Sequence, residues 1–317
     1  MKKIVGGNRL LIKCCKLYYM QSMTQNEISK TLGISRPTVS RLLKEAMEKG
    51  IVKIEIQESE QSNYEDLESS IEKKYGLKEV LITNDNEEGL TSDLGCMAAK
   101  YLERIIRNTD IIGVSMGTTV KEIGRFVSKG SNVDAMFVPL IGGVGQIGID
   151  IHPNEVAMSL SRAFNGKFKL LHVPAIISDT DLIEKLKEEK SVSDVLEYIN
   201  KVNISIVGIG APTEKSTMMA SGYFDKEKLE NLKRLNAVGD ICLQFFDING
   251  NSKQFKDNSK VFGSHLEDIK NIDRVIGVAG GDEKVEAIIG AINGRFINVL
   301  ITNYSCAKLI FNYKVGE

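Results

Sequence analysis

The 317-residue chain has no tryptophan, and aromatic residues make up only 6% of it. Its core must therefore rest on Ile, Leu, Val and Ala. With 42% hydrophobic residues there is ample material for at least one large core. At about 100–200 residues per domain, two domains are expected. No run approaches the roughly 18 consecutive apolar residues that a membrane span needs. The stretch "IVGGNRLLIKCCKLYY" near the N-terminus is broken by Asn, Arg and Lys, too polar for a signal-peptide core. The five cysteines, Cys14, Cys15, Cys96, Cys242 and Cys306, form no C-x-x-C pair, and none has a histidine at metal spacing. An odd, scattered set of this kind suits a reducing cytosol. A cytoplasmic location without metal or cofactor is expected.

Charge of either sign is nearly absent as a net quantity, at −1, but it is unevenly spread. Residues 1–57 hold eleven Lys or Arg and four Glu, and the excess acid lies in the remainder. A basic leading segment on a mildly acidic body points to a polyanion partner for the first part alone.

That first part, residues 1–56, reads as three short helices and a β-ribbon. "RLLIKCCKLYYM" is apolar at helical spacing. In "TQNEISKTLGI", Thr24 is followed three residues later by Glu27, the sign of a capping box, and Gly33 ends the helix. Ser35 then caps "SRPTVSRLLKEAMEKG", with Pro37 in its first turn. "IVKIEI" alternates as a half-buried strand does. The layout is that of a helix-turn-helix. Ile28, Leu32, Ile34, Val39, Leu42 and Leu43 fall where the helices must pack. Thr24, Gln25, Ser35, Arg36, Thr38, Ser40, Arg41 and Lys44 are left to face DNA. Arg matches guanine edges in the major groove, while Lys, Ser and Thr suit phosphates. "KGIVKIEI" would be a wing, whether it touches DNA or only packs.

Residues 57–77 are polar and charged, with Leu67 and Ile71 one helical turn apart, and read as a linker running into a helix. Residues 78–317 alternate apolar strands with amphipathic helices. The strand candidates are "EVLIT", "DIIGVS", "AMFVPLIGG", "FKLLHVPA", "ISIVGIGA", "DRVIGVAG" and "NVLITN". The pattern predicts a doubly wound α/β domain with a mostly parallel sheet. "GDICLQFFDINGNSKQF" interrupts it and predicts a hairpin with an Asn-Gly turn.

The stretch "DIIGVSMGTTVKEI" leads from a strand through two glycines into a helix start. Such a start carries a partial positive charge and unpaired N–H groups that favour an anion. Ser115, Thr118 and Thr119 add hydroxyls, and Gly117 permits close backbone approach. The motif is neither a P-loop nor G-x-G-x-x-G, which disfavours nucleotide binding. Taken alone, it is equally a β–α turn that needs glycine for its geometry. Gly142 and Gly143 in "PLIGGVGQ", Gly208 and Gly210 in "VGIGAP", and "VAGGDEKVEAI" with Lys284 stand at other strand ends. In open α/β sheets ligands bind outside the carboxyl ends of the strands, so one shared pocket is the economical reading. Asp240 and Asn154 are placed either to bond sugar hydroxyls or to cap elements.

The chain resembles the SorC branch of the SorC/DeoR sugar-responsive transcriptional regulators. The resemblance lies in "TQNEISKTLGISRPTVSRLLKEAMEKGIVKIEI", "GVSMGTT", "VPLIGGVG", "NEVA", "VGIGAP", "AVGDICLQFFDINGN" and "RVIGVAGGDEKVEAIIGAINGRFINVLITN". It implies a winged helix-turn-helix domain joined to a sugar-phosphate sensor whose fold is similar to ribose-5-phosphate isomerase and glucosamine-6-phosphate deaminase. It implies that the Ser115–Thr119 loop holds the effector phosphate and that Lys284 and Asp240 line the pocket. It also implies dimers or tetramers whose affinity for operator DNA, or whose assembly, changes with the effector. The chain departs from the family at Gln244, where many members have Arg, and at Asn303, where many have Asp. At Ile141 some carry a basic residue. A second phosphate or an imine at Ile141 is therefore disfavoured. An isomerase- or deaminase-like enzyme fused to a DNA reader is the alternative. In the deaminases the segment comparable to "VGIG" continues into Asp-Gly-His, whereas here it continues "APTEK". His152, His172 and His265 are scattered, so a non-enzymatic sensor is expected.

Overall fold

A computed structural model describes residues 7–53, 64–86, 88–145, 148–214, 216–258 and 260–314. The chain falls into two compact units, Met1–Asn63 and Tyr64–Glu317.

The first unit is helical. α1 (Gly7–Cys15) widens into a π-helical turn (Lys16–Met20), and α2 (Gln25–Leu32) and α3 (Arg36–Glu48) follow. The Thr24–Glu27 capping box forms as its sequence requires, and Gly33 closes α2 in the left-handed region at φ 64°. Ser35 caps α3. Val39, Leu42, Leu43 and Ala46 recur at helical spacing and are buried against Leu11, Cys14, Leu17 and Ile28. No strand occurs among the described residues of this unit. Ile51 and Val52 form a bend, and the second half of the expected wing strand, residues 54–56, lies outside the described residues.

The second unit opens with α4 (Glu65–Tyr75), β1 (Glu79–Thr83), α5 (Leu90–Ile105), β2 (Ile111–Val114), α6 (Thr118–Phe126), β3 (Met136–Pro139), α7 (Pro153–Phe164) and β4 (Lys167–Phe168). Then come α8 (Thr180–Glu188), α9 (Lys190–Ile199), β5 (Ile204–Gly208), α10 (Thr217–Ala220), α11 (Lys226–Arg234), β6 (Gly239–Ile241) and β7 (Gln244–Phe246). α12 (Leu266–Ile269), β8 (Arg274–Val278), α13 (Val285–Asn293), β9 (Val299–Asn303) and α14 (Tyr304–Asn312) complete it. Seven strands form one parallel sheet in the order β1-β9-β8-β5-β2-β3-β4. Side chains alternate between its faces. Ile206, Ile276, Val299 and Ile301 pack with α5, α6 and α7, while Val207, Val275 and Leu300 pack with α4, α13 and α14. Burial on both faces explains the continuous apolar strands.

Three expectations differ in detail. "FKLLHVPA" pairs as a strand only at Lys167–Phe168; beyond it the chain makes isolated bridges at Pro174 and Ile176. Pro174 has no N–H to give a ladder. The hairpin exists as β6 and β7, but its turn is Cys242-Leu243, with φ of 54° and 61°. Two consecutive left-handed residues make the turn that suits strand twist. Asn249-Gly250 lies beyond β7, where a Cβ on Gly250 would fall 2.1 Å from Gly294 N. Residues 181–200, whose pattern predicts one helical stretch, form two helices, because Glu189 is extended at φ −64° and ψ 125°.

Candidate functional site

From β2 the chain proceeds to β3 on one side of the sheet, and the later strand β5 is laid on the other. This reversal opens a crevice at the carboxyl ends of β2 and β5. A cavity of about 130 Å³ lies there. Gly117–Val120 after β2, Gly208–Gly210 at the end of β5, and Val278–Gly280 at the end of β8 line it, with Asp240, Cys242 and Lys284. Of the residues expected at the site, it unites Gly117, Thr118, Thr119, Gly208, Gly210, Asp240 and Lys284.

The phosphate-type loop is open for an anion. Gly117, at φ 139°, precedes α6 and offers no side-chain cap. The first N–H groups of a helix have no partner within it. The Thr118 side chain is exposed and that of Thr119 half-buried, and neither hydroxyl is hydrogen-bonded within the described residues. Gly117 N–H itself donates to Ile151 O at 3.3 Å. Lys284 is half-buried and its ammonium has no ion pair among the described residues. It stands after Gly281, whose carbonyl accepts the Lys284 N–H at 3.0 Å.

Asp240 is 6% exposed and stands opposite Gly210. Their backbones exchange hydrogen bonds of 2.8 and 3.1 Å. An added Cβ on Gly210 would fall 1.9 Å from Asp240 Oδ1, so glycine here makes room for the carboxyl. Burial pushes the Asp240 pKa up to about 6, against the pull of Lys284 and of the Leu243 N–H. The same burial, with Asp240 beside it, raises the Cys242 thiol far above its ordinary value.

Four other expected residues are engaged in holding the walls and do not line the cavity. Ser115 is buried; its Oγ donates to Met116 O at 2.9 Å and accepts Gly208 N–H at 3.0 Å, tying β5 to β2. Gly142 N–H donates to Phe262 O, and a Cβ on it would lie 2.5 Å from Val173 O. Gly143 N–H donates to Val173 O at 2.6 Å. Asn154 bonds both backbone groups of Leu171, at 3.1 and 2.9 Å, and so fixes α7 to the chain after β4. The three positions that the resemblance marks as departures, Ile141, Gln244 and Asn303, are all buried. Ile141 is fully buried and bridges to Gly263. Gln244 donates to Ser264 O at 2.9 Å and accepts the Leu266 N–H at 3.1 Å.

Met116, Ser216, Thr217, Met218 and Cys242 complete the lining without having been singled out from the sequence. Ser216–Met218 follow the glycine-rich end of β5 by only a few residues, which was the available signal. None of the three histidines lines the cavity. His152 caps α7 by accepting the Asn154 N–H at 3.3 Å, and burial lowers its pKa.

In the first unit, α3 buries its apolar stripe and exposes Arg36, Ser40, Arg41 and Lys44. Ser35 Oγ and Thr38 Oγ1 share a hydrogen bond of 2.8 Å at its start. Thr24, Gln25 and Arg36 line one groove with Tyr18 and Asn26, so the starts of α2 and α3 face it together.

A family model described as a "Putative sugar-binding domain" matches residues 59–312, and one for sigma-70 region 4 matches residues 13–49. The chain is 33% identical over 310 residues to the deoxyribonucleoside regulator of Bacillus subtilis, across 96% of this chain and 97% of that protein. It is 31% identical over 307 residues to the sorbitol operon regulator of Klebsiella pneumoniae, across 95% and 97%. The crystal structure of that full-length regulator, SorC, superposes with a TM-score of 0.74 at 31% identity, over 96% of this chain and 99% of that one. The chain belongs to the SorC-type family of sugar-binding transcriptional regulators.

Proposed function

We propose that this family member binds operator DNA through α2 and α3 and a phosphorylated sugar in the cavity at β2, β5 and β8, and that the second event controls the first. One observation carries the effector reading. An uncapped helix start shares one small cavity at the strand-order reversal with two threonine hydroxyls and a lysine that have no hydrogen-bond or ion-pair partner among the described residues. Helix dipole, free N–H groups and a point charge together select an anion. Asp240 is the carboxyl placed to bond the sugar's hydroxyls. With Ile141 apolar and Gln244 satisfied internally, neither supplies a cation for a second phosphate, which favours a monophosphate.

The name of the Klebsiella relative refers to a sorbitol operon and that of the Bacillus relative to deoxyribonucleosides. Control of a carbohydrate operon, as a dimer or tetramer reading two half-sites, is the corresponding role here. Effector and operator would then be linked reciprocally.

A sensor is preferred to an isomerase or deaminase on chemical grounds. Such reactions need a matched general acid and base around the substrate. Asp240 and Lys284 line the cavity without a histidine, and the similar full-length proteins are named as regulators, which favours sensing over turnover.

The test is a thermal-shift screen of triose, pentose and hexose phosphates on the full chain. Saturation to 100 times Kd stabilises by about 2.7 kcal/mol. A hit that also changes retention of operator DNA supports the reading. Turnover of the hit would convert the sensor into an enzyme, and absence of any hit would remove the effector site.

A further inference from the structure

Asn303 packs and hydrogen-bonds behind the cavity wall that carries Lys284, beside Leu94 and Leu90. A Cβ on Gly280 would lie 2.6 Å from Asn303 Oδ1, so the loop after β8 is pressed against that amide. The next residue, Gly281, donates its N–H to the same oxygen at 2.9 Å. On its other side Asn303 Nδ2 donates to Asp85 Oδ1 at 2.7 Å and to Ser305 Oγ at 2.9 Å. Asp85 Oδ1 accepts the Ser305 N–H as well, at 2.9 Å. Burial raises the Asp85 pKa, but the Ser305 and Asn303 donors, with Lys308, outweigh it and hold the carboxyl below its ordinary value. Position 303 must therefore accept from Gly281 and donate to an ionised Asp85. An amide does both; a carboxylate only accepts.

Two contacts continue from this network to Tyr64, the first residue of the second unit. Tyr304, next to Asn303, stacks on Tyr64 with ring centroids 4.8 Å apart and planes at 29°. Asn84, next to Asp85, accepts the Tyr64 hydroxyl at 2.8 Å. Tyr64 leads directly into α4, whose Glu72 and Glu68 accept the N–H groups of Val80 and Ile82 on the edge strand β1 at 2.9 and 2.7 Å. The residues ahead of Tyr64 connect to the DNA-reading unit.

We propose that Asn303 is a positioning residue that couples occupation of the cavity to the start of α4. Its amide sets the Gly280–Lys284 wall on one side and the Asp85–Tyr304–Tyr64 contacts on the other. A ligand that fixes Lys284 thereby orders Tyr64 and the first turns of α4. This inference rests on the reading of the cavity as an effector site.

The test compares thermal shift with amide hydrogen exchange over residues 64–75 in the full chain, using the panel of triose, pentose and hexose phosphates. In the natural chain, the sugar phosphate that raises the melting temperature is expected to slow exchange over 64–75 severalfold. Asn303→Asp sets two carboxylates against each other. It is expected to keep a melting-temperature rise at saturation and to lose the slowing. Asp85→Asn added to it restores a donor–acceptor pair and should restore the slowing, which a merely structural role would not require. Tyr304→Ala leaves the Asn303 bonds in place and removes the stack on Tyr64 together with the Lys308 contact to the ring, so it tests the relay even if Asn303→Asp does not fold; at least half of the slowing should be lost. Undiminished slowing in Tyr304→Ala or in Asn303→Asp, or no slowing in the natural chain despite a thermal shift, overturns the coupling alone. If no sugar phosphate shifts the natural chain, the effector site falls and the coupling falls with it.

Discussion

Asp240→Asn should make the protein more stable at neutral pH, although it replaces a residue of the candidate site. The Asp240 carboxyl is buried, and burial raises its pKa from 3.8 to about 6. Below about pH 3.8 the group is protonated whether the chain is folded or not, and its contribution to stability is fully present. As pH rises through about 6 the folded chain must ionise a desolvated carboxyl, and that contribution is lost. At about 1.36 kcal/mol per pKa unit the loss is on the order of 3 kcal/mol. An asparagine keeps the shape and the acceptor toward the Leu243 N–H and never ionises. The gap between variant and natural chain should therefore be small at pH 4 and open to about 3 kcal/mol by pH 7. Urea denaturation at a series of pH values, followed by circular dichroism, measures it. Lys284→Met supplies an internal control, because Lys284 pulls the Asp240 pKa down. Without it the pH at which stability declines should move upward. A gap that is constant across pH, or an Asp240→Asn chain less stable at pH 7, would refute the reasoning.

Further outcomes are specific to other residues. Thr118→Val with Thr119→Val removes two hydroxyls at nearly constant volume. At about 1.5–3 kcal/mol per bond to a charged group, sugar-phosphate affinity should fall at least tenfold in a thermal-shift titration while DNA retention is unchanged. Arg36→Ala and Arg41→Ala should weaken operator binding without altering effector affinity; where the lost contact is to a phosphate, the slope of log K against log salt should fall by about 0.9. Gln244→Leu strands the buried Leu266 N–H and Ser264 carbonyl, each at about 1–3 kcal/mol, and should lower the urea midpoint accordingly. An unchanged midpoint would mean that Gln244 does not clamp this segment.

The elements were legible where a local signal coincided with the tertiary need. The Thr24–Glu27 box, Gly33 and Ser35 announce α2 and α3 because capping is settled within four residues. The glycine after β2 and those at the ends of β5 and β8 announce the cavity because backbone must approach closely there. Ser115 shows the opposite case. In sequence it is another hydroxyl in an anion loop, and only the register of β2 against β5 reveals that Gly208 and Met116 use it up. Asn154 and Gly142 were misplaced for the same reason, their partners lying 17 or more residues away. The Cys242-Leu243 turn carries no turn chemistry at all. Its left-handed backbone is enforced by burial of Cys242 and Leu243, which local propensity does not contain.

The remaining question is whether the second unit senses anything or only assembles the molecule. Assembly alone gives no reason for a buried carboxyl with its pKa raised to about 6 to share a cavity with a lysine that has no ion pair among the described residues. Elsewhere the unit satisfies its buried polar groups closely, as at Gln244, Asn154 and Asn303. Among the described residues the buried side-chain oxygens without a partner are Ser205 Oγ on β5 and Thr302 Oγ1 on β9, and neither lines the cavity. What distinguishes the cavity is its lining, with Lys284, Thr118 and Thr119 beside Asp240, the set on which the proposed sugar-phosphate effector rests.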